Sequence, residues 1–299
     1  MGNGLRRVNL AGGVALLLSL GGCAGLDFGR AGATMSQQAA QMVRMGDYAL
    51  AQGDRVTAAS LYEQALSVDP DASEALDRLG RIQEQVGASV SAVETYRRAV
   101  ERAPNDPEAL RRLGNALIAQ TYPERAMTYL QQSLAIDDTP QVRNSLGVAL
   151  DLIGQHGLAQ EQYRAGIGDV TADLDLRSNL ALSLALDGDY AGAVALAGEV
   201  TRDGTATSRH RQTFALVLGL AGQMDEAEAV AHMDLAPALV AANLDYYQLL
   251  RSIEPSAARA LAITGGMGAP AAVAAQVGFA FQDPASEDAS SVMIATLPH

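Results

Sequence analysis

Few residues of this 299-residue chain have the types and spacing that chemistry requires. Cys23 is the sole cysteine, so neither an internal disulfide nor a multi-cysteine zinc site can form. The four histidines are scattered, without the i, i+4 spacing of a helical metal motif, and are interpreted as surface or core residues. The chain has no lysine, which excludes Schiff-base chemistry and a phosphate-loop lysine. The sequence predicts no enzyme, no cofactor and no metal site, although a site assembled from distant residues remains an alternative.

Cys23 follows a segment that has the features of a secretion signal. Arg6 and Arg7 supply positive charge, the apolar run 11–20 is too short to span a bilayer stably, and two glycines precede the cysteine. Residues 1–22 are therefore predicted to be removed.

Residues 20–23, Leu-Gly-Gly-Cys, also resemble the bacterial lipobox, in which the cysteine is acylated and becomes the first residue. Each buried methylene contributes about 0.8 kcal/mol, and the several chains of a lipoprotein suffice for stable attachment. By the same resemblance, Ala24 after the cysteine favours the outer membrane. We expect lipidation at Cys23, a tether over 23–38 and attachment at the periplasmic face. The alternative is an ordinary signal peptide with an incidental cysteine.

The charge balance limits the partners. The chain carries 34 acidic and 21 basic residues, a net charge of -13, and therefore repels phosphate backbones. We expect neither a nucleic-acid partner nor a small-molecule substrate.

The elements that position the rest of the chain are internal repeats. Alanines recur at separations of 34, 34, 33, 34 and 34 residues: Ala58, Ala92, Ala126, Ala159, Ala193 and Ala227. Small residues lie twelve positions earlier in each copy, and glycine lies five positions earlier in every copy except the third, which has Thr121. The small residues allow two antiparallel helices to approach closely, and the glycine allows the positive φ that ends the first helix. The unit is therefore a helical hairpin.

This pattern resembles the tetratricopeptide repeat and predicts an all-α solenoid of about six repeats. The predicted repeats lie within 39–241, at 39–72, 73–106, 107–139, 140–173, 174–207 and 208–241. Residues 236–263 are predicted to form C-terminal capping helices, because the last hairpin of a solenoid needs a cover. The tail 264–299, rich in alanine, serine and acidic residues, is predicted to be disordered.

The first helices of a solenoid line a concave face, which predicts a partner-binding groove. Its candidate residues have polar and apolar members: Arg111, Asn115, Asn144, Val148, Ser178, Leu182, Gln212 and Leu216. The apolar members would form a stripe edged by amides and a hydroxyl, which suits an amphipathic or extended peptide. The alternative is that some of these leucines pack between neighbouring repeats.

Three later stretches carry a more specific resemblance: "NLALSLALDGD", "RQTFALVLGLAG" and "AANLDYYQLL". With the lipobox, they resemble TadD, the tetratricopeptide lipoprotein family of tight-adherence (Flp) pilus systems. The resemblance implies a pilotin-like outer-membrane factor that helps the secretin of the pilus system assemble or remain stable, and it implies no catalytic residues. The alternative scaffold function is that of an adaptor for cell-wall enzymes or proteases.

Overall fold

The computed structural model describes residues 27–168, 173–254 and 256–265. These residues form fourteen helices: Asp27–Ala51 (α1), Arg55–Val68 (α2), Ser73–Gln85 (α3), Ser89–Arg102 (α4), Pro107–Ala119 (α5), Pro123–Ile136 (α6), Pro140–Leu152 (α7), His156–Ile167 (α8), Leu174–Leu186 (α9), Tyr190–Thr201 (α10), Ser208–Ala221 (α11), Met224–Ala231 (α12), Pro237–Ser252 (α13) and Ser256–Gly265 (α14). The predicted all-α fold of successive helical hairpins is confirmed.

The turn inside each hairpin explains where the first helix ends. The glycine at this place has a positive φ in five of the six hairpins, with values of 72° to 92°, as at Gly87 and Gly154. Glycine adopts this left-handed conformation without steric cost. In the third hairpin Thr121 adopts the same conformation, with φ 60°, although its Cβ is strained there.

Two solutions fill the seam between paired helices. In the second and fourth hairpins a glycine faces a tyrosine, and a Cβ added at Gly80 or Gly147 would overlap the ring of Tyr96 or Tyr163. In the fifth hairpin buried alanines, Ala181 and Ala197, occupy the two corresponding places. A larger residue on one helix thus accompanies the loss of a side chain on the other, which conserves packing density.

Helix starts are marked by side-chain caps and prolines. Asp106 accepts hydrogen bonds from the amides of Glu108 and Ala109 at the start of α5, and Pro107 occupies the first turn, where no intrahelical donor is needed. Thr139 and Asp173 cap α7 and α9 in the same way. These capping residues set where the helices begin and so position the functional side chains.

The chain divides into two compact units, with the boundary in the first turn of α3. In the first unit, α1 packs against α2, and the buried ring of Tyr62 donates from its hydroxyl to Asp47 at 2.8 Å. A groove of about 650 Å³ between these two helices is lined by Arg44, Met45 and Leu61, among others.

In the second unit, the first helices of successive hairpins lie side by side. The helix α5 packs against α7, α7 against α9, and α9 against α11. The series continues with α13, which packs against α11 and α12. The Asp77–Arg112 ion pair joins the part of α3 in this unit to the series, and we call the surface formed by that part of α3 with α5, α7, α9 and α11 the first-helix face. The last helix, α14, does not extend the series: it packs against α7, α9 and α13.

The helix bounds can be set beside the predicted segments. The helices α3, α5, α7, α9 and α11 begin at the first residues of the second to sixth predicted repeats, and α13 and α14 cover the predicted capping segment. The predicted tether is helical from Asp27 onward, as the first half of α1. Residues 1–26, with Cys23, and residues 266–299 lie outside the described residues, so lipidation and tail disorder stay predictions. Across the described helices, none combines the length and apolar character needed to cross a bilayer.

Candidate functional site: the first-helix face

One end of the first-helix face is charged. Arg112 of α5 pairs with Asp77 of α3 at 2.6 Å and with Glu108 at 2.8 Å, and the buried Arg111 also donates to Glu108 at 2.8 Å. Burial raises the pKa of the Glu108 carboxyl, but the Arg111 hydrogen bond and the nearby guanidinium charges outweigh it, so that pKa lies below its ordinary value. The carboxylate is therefore ionised at neutral pH, and this end presents a fixed pattern of alternating charge.

A buried polar cluster lies further along the face, between α7 and α9. Its centre is Asp151, which is fully buried near the end of α7. The Tyr163 hydroxyl of α8 and the Ser183 hydroxyl of α9 donate to its carboxylate, at 2.9 Å and 2.7 Å. His156 Nδ1 lies 2.8 Å from the same carboxylate. Burial raises the pKa of Asp151 in spite of these hydrogen bonds.

His156 connects this cluster to α14. Its Nε2 lies 2.9 Å from the Ser256 hydroxyl, at the first residue of α14. With the ring proton on Nδ1, facing Asp151, Nε2 accepts the Ser256 hydroxyl proton. We call the five residues Asp151, His156, Tyr163, Ser183 and Ser256 the Asp151 cluster. The contacts among its side chains connect four helices: α7, α8, α9 and α14.

A second buried polar contact joins α7 to α9. The Asn179 side-chain amide donates to the Asn144 carbonyl oxygen at 2.8 Å, and both residues are buried. Towards α11, His210 Nε2 lies 3.2 Å from Asp175 of α9, and its Nδ1 accepts the backbone amide of Thr207. The buried Asn144–Asn179 pair fixes the register of α7 and α9, because an unpaired buried group costs free energy.

The helix α14 covers part of this face. Ala260, Ala262 and Ile263 of α14 are fully buried and belong to the same apolar cluster as Val148 of α7 and Leu182 of α9. At the other end of the helix, a Cβ at Gly154 would lie 3.1 Å from the Cβ of Ala257. The first residues of α14 thus lie against the turn after α7. Its apolar residues are buried with those of α7 and α9.

The structure separates the predicted groove residues into buried and half-buried members. Asn115 and Gln212 are half-buried, and the Gln212 amide donates to Asp234 at 3.3 Å. The others are buried, with exposed fractions of 7% or less: Arg111, Asn144, Val148, Ser178, Leu182 and Leu216.

The expectation that Val148, Leu182 and Leu216 form a solvent-facing apolar floor is therefore wrong. They pack among adjacent first helices, as the alternative interpretation had it, and α14 packs against two of those helices. A role for any of the eight residues in contacting a partner stays a prediction.

The residue at the centre of the buried cluster, Asp151, was not among the site residues predicted from the sequence. Asp151 occupies the twelfth place of the fourth predicted repeat, the place that Glu84 occupies in the second. A carboxylate there, between apolar neighbours, was an available signal. Its partners could not be found in this way, because Ser183 and Ser256 lie 32 and 105 residues further along the chain.

Comparisons with known proteins agree with the repeat assignment. A tetratricopeptide repeat family matches residues 43–107 and 91–142. An uncharacterised protein, y4yS, of Sinorhizobium fredii (strain NBRC 101917 / NGR234) is 38% identical over 74 residues, which are 24% of this chain and 41% of that protein. The chain thus matches less than half the length of this relative.

Solved structures share the fold at low sequence identity. A tetratricopeptide repeat protein from Parabacteroides merdae ATCC 43184 has a TM-score of 0.61 and 15% identity, over 82% of this chain and 99% of that one. PilW, a type IV pilus biogenesis factor, has a TM-score of 0.58 and 20% identity, over 66% and 93%. Pseudomonas aeruginosa PilF has a TM-score of 0.53 and 18% identity, over 66% and 90%. These likenesses show the fold alone. The match to the tetratricopeptide repeat family lies within residues 43–142, from α1 to α7.

Proposed function

We propose that this protein is an outer-membrane lipoprotein that acts as a pilotin-like scaffold for the secretin of an Flp-type pilus system. The lipobox at residues 20–23 supports the anchoring, and the resemblance of the later repeats to TadD supports the pilus assignment. The fold shared with PilW and PilF is compatible with this function and does not by itself argue for it.

The observation that carries the proposal is the charged end of the first-helix face on a tetratricopeptide array. Asp77, Arg112 and Glu108 hold one another in place there, and the half-buried Arg81 and Asn115 lie on the same two helices, α3 and α5. Fixed charges on a rigid face give orientation and specificity to protein association more than raw affinity. A partner segment with complementary charge and exposed amides is the ligand that this end fits.

Anchoring is tested at Cys23. The Cys23→Ser variant is expected to lose acylation and to leave the outer-membrane fraction, because the proposed attachment depends on acyl chains. Equal incorporation of radiolabelled palmitate into the variant and the parent protein would refute lipidation at Cys23.

Partner binding is tested at the charged end. The Arg81→Ala/Asn115→Ala variant should remain folded and lipidated but lose secretin multimers and surface pili. Arg97→Ala is the matched control, because Arg97 is exposed on α4 and pairs with its own-helix neighbours Glu94 and Glu101. Normal piliation by the double variant would exclude this end as the docking site. Capture of cell-wall hydrolases or proteases, and no secretin, by the intact lipoprotein would favour the adaptor function.

A hydrolase is the second candidate, favoured by one observation. Asp151, His156 and Ser256 are linked in the order of a serine-hydrolase triad, at 2.8 Å and 2.9 Å. Against this function, the carboxylate is shared with Tyr163 and Ser183, and the residue after the serine lies in van der Waals range of the α7–α8 turn. A fluorophosphonate probe distinguishes the two functions: labelling that disappears in Ser256→Ala would establish the hydrolase, and the scaffold proposal expects none.

A further inference from the structure

The attachment of α14 differs in kind from that of α13. The helix α13 buries large side chains, including Tyr246, Tyr247 and Leu250, whereas the fully buried residues of α14 are two alanines and Ile263. A helix of ten residues is marginal in water by itself. Because two of these three apolar side chains are alanines, we infer that the position of α14 depends on a few polar contacts and on its short connection to α13.

Those polar contacts lie at defined points. The Ser256 hydroxyl meets His156 at 2.9 Å. The Arg259 guanidinium donates to the backbone carbonyls of Leu250 and Ile253, at 2.9 Å and 3.0 Å, and so satisfies acceptors at the end of α13. The Tyr246 hydroxyl donates to the carbonyl of Ala262 at 2.7 Å. Three of these hydrogen bonds fix α14 to the end of α13, and the Ser256 contact fixes it to the buried cluster at α7 and α8.

We propose that the α7–α9 part of the first-helix face is a helix-binding site that the chain fills with its own α14, and that a partner helix of the same chemistry displaces it. The partner would carry a hydroxyl in its first turn to reach His156, small residues where it crosses the α7–α8 turn, and a branched aliphatic residue seven positions after the hydroxyl. These are the features of Ser256, Ala257 and Ile263 in α14. This site is separate from the charged end at α3 and α5, and the proposal does not depend on the client being a secretin.

Occupation by α14 predicts competition of a measurable size. A tethered helix acts at an effective concentration in the millimolar range, so a free peptide must overcome it. Displacing α14 should therefore tighten the binding of a free helix by about tenfold or more, whereas locking α14 in place should abolish it.

The experiment uses the full chain with Cys23→Ser and a fluorescein-labelled synthetic peptide with the sequence of residues 254–265. Ile263→Glu places a charge at a fully buried position of α14 and should displace the helix. Ala258→Glu, at a half-buried position of the same helix, is the matched control. Gly154→Cys/Ala257→Cys provides the lock: the two Cβ positions lie 3.1 Å apart, and a small outward shift of α14 would bring them to the separation of roughly 3.5 to 4.5 Å found in disulfides.

By fluorescence anisotropy, the Ile263→Glu variant should bind the peptide at least about tenfold more tightly than the parent chain and the Ala258→Glu control. The oxidised lock should not bind it, and reduction should restore binding to the parent value. A peptide with alanine in place of Ser256 should bind more weakly, which tests the hydroxyl contact.

The proposal is overturned if a folded Ile263→Glu variant binds the peptide no better than the parent chain, because α14 would then be a permanent part of the core. If circular dichroism shows that Ile263→Glu does not fold, the lock decides: equal peptide binding by its oxidised and reduced forms would also overturn the proposal. Neither outcome bears on the charged end or on pilus assembly.

Discussion

The second and fourth repeats place an acidic residue at the same position and use it differently. In the second repeat, Glu84 accepts the Tyr96 hydroxyl at 2.9 Å and is half-buried. In the fourth repeat, Asp151 accepts the Tyr163 hydroxyl at the same distance, but it is fully buried and also binds Ser183 and His156. The hairpin geometry is common to both repeats, so the difference comes from what packs on the first helix.

The difference shows how a repeated fold acquires distinct sites. The tyrosine and the acid belong to the hairpin itself, since the tyrosine ring fills the space left by a glycine on the facing helix. The additional partners come from elsewhere: Ser183 from the next repeat and Ser256 from α14. One end of the first-helix face thus remains charged, whereas its middle, at α7 and α9, becomes a buried polar cluster beneath a helix.

The largest effect that would separate the two repeats is the removal of each acid. Asp151→Ala should cost about 3 to 5 kcal/mol of unfolding free energy, because it leaves buried donors without an acceptor. Glu84→Ala should cost about 1 kcal/mol, since the Tyr96 hydroxyl lies beside a half-buried residue and can reach water. Urea unfolding followed by circular dichroism measures both values. Equal losses would show that burial does not distinguish the two acids.

Enlarging the hairpin seam should affect both repeats alike. Ala92 and Ala159 occupy the same place and are both fully buried. Substitution of either by leucine overpacks the seam and should cost about 1 to 3 kcal/mol. Thermal unfolding of the two variants tests this prediction. If the midpoint of thermal unfolding stayed unchanged in only one of the two variants, the two hairpins would not be packed in the same way.

The third repeat offers a substitution in the opposite direction. Thr121→Gly should raise the unfolding free energy by up to about 1 kcal/mol, because it removes the steric strain of a side chain in the left-handed conformation. The greater chain entropy of glycine in the unfolded state offsets part of this gain. Gly87→Thr is the reverse change in the second repeat, where the new side chain would have open space. This variant should lose a similar amount of unfolding free energy. A loss of stability in Thr121→Gly would show that the threonine side chain contributes more than its strain costs.

The smallest expected effect is electrostatic and depends on pH. The folded pKa of Glu108 lies below its ordinary value, so its contribution to stability is present above the ordinary carboxyl pKa and is lost as the pH falls through the folded pKa. Glu108→Gln should therefore cost about 0.5 kcal/mol at pH 7, a small amount because half of the side chain is exposed to solvent screening. The difference between variant and parent should vanish once the pH lies below the folded pKa of Glu108. A difference that is independent of pH would assign the effect to packing.

Much of the fold could be predicted from the sequence because its determinants are local and repeated. A glycine five positions before a buried alanine, repeated every 33 or 34 residues, fixes both the turn and the seam of a hairpin. The burial of Val148 and Leu182 could not be predicted, since it depends on the rotation of each first helix and on its neighbours. The position of α14 was equally inaccessible, because the contact of Ser256 with His156 spans 100 residues and no local pattern encodes it.

Amide exchange can show whether the Asp151 cluster holds α14 on the α7–α9 part of the first-helix face. Hydrogen–deuterium exchange on the parent chain should show protected amides in α14, and His156→Ala should release those amides while leaving α4 and α13 protected. His210→Ala is the matched control, because it removes a buried histidine that joins α9 and α11 and should leave α14 unchanged. Exchange of the α14 amides at the rate of an unstructured peptide in the parent chain, or equal release by the two variants, would contradict the account.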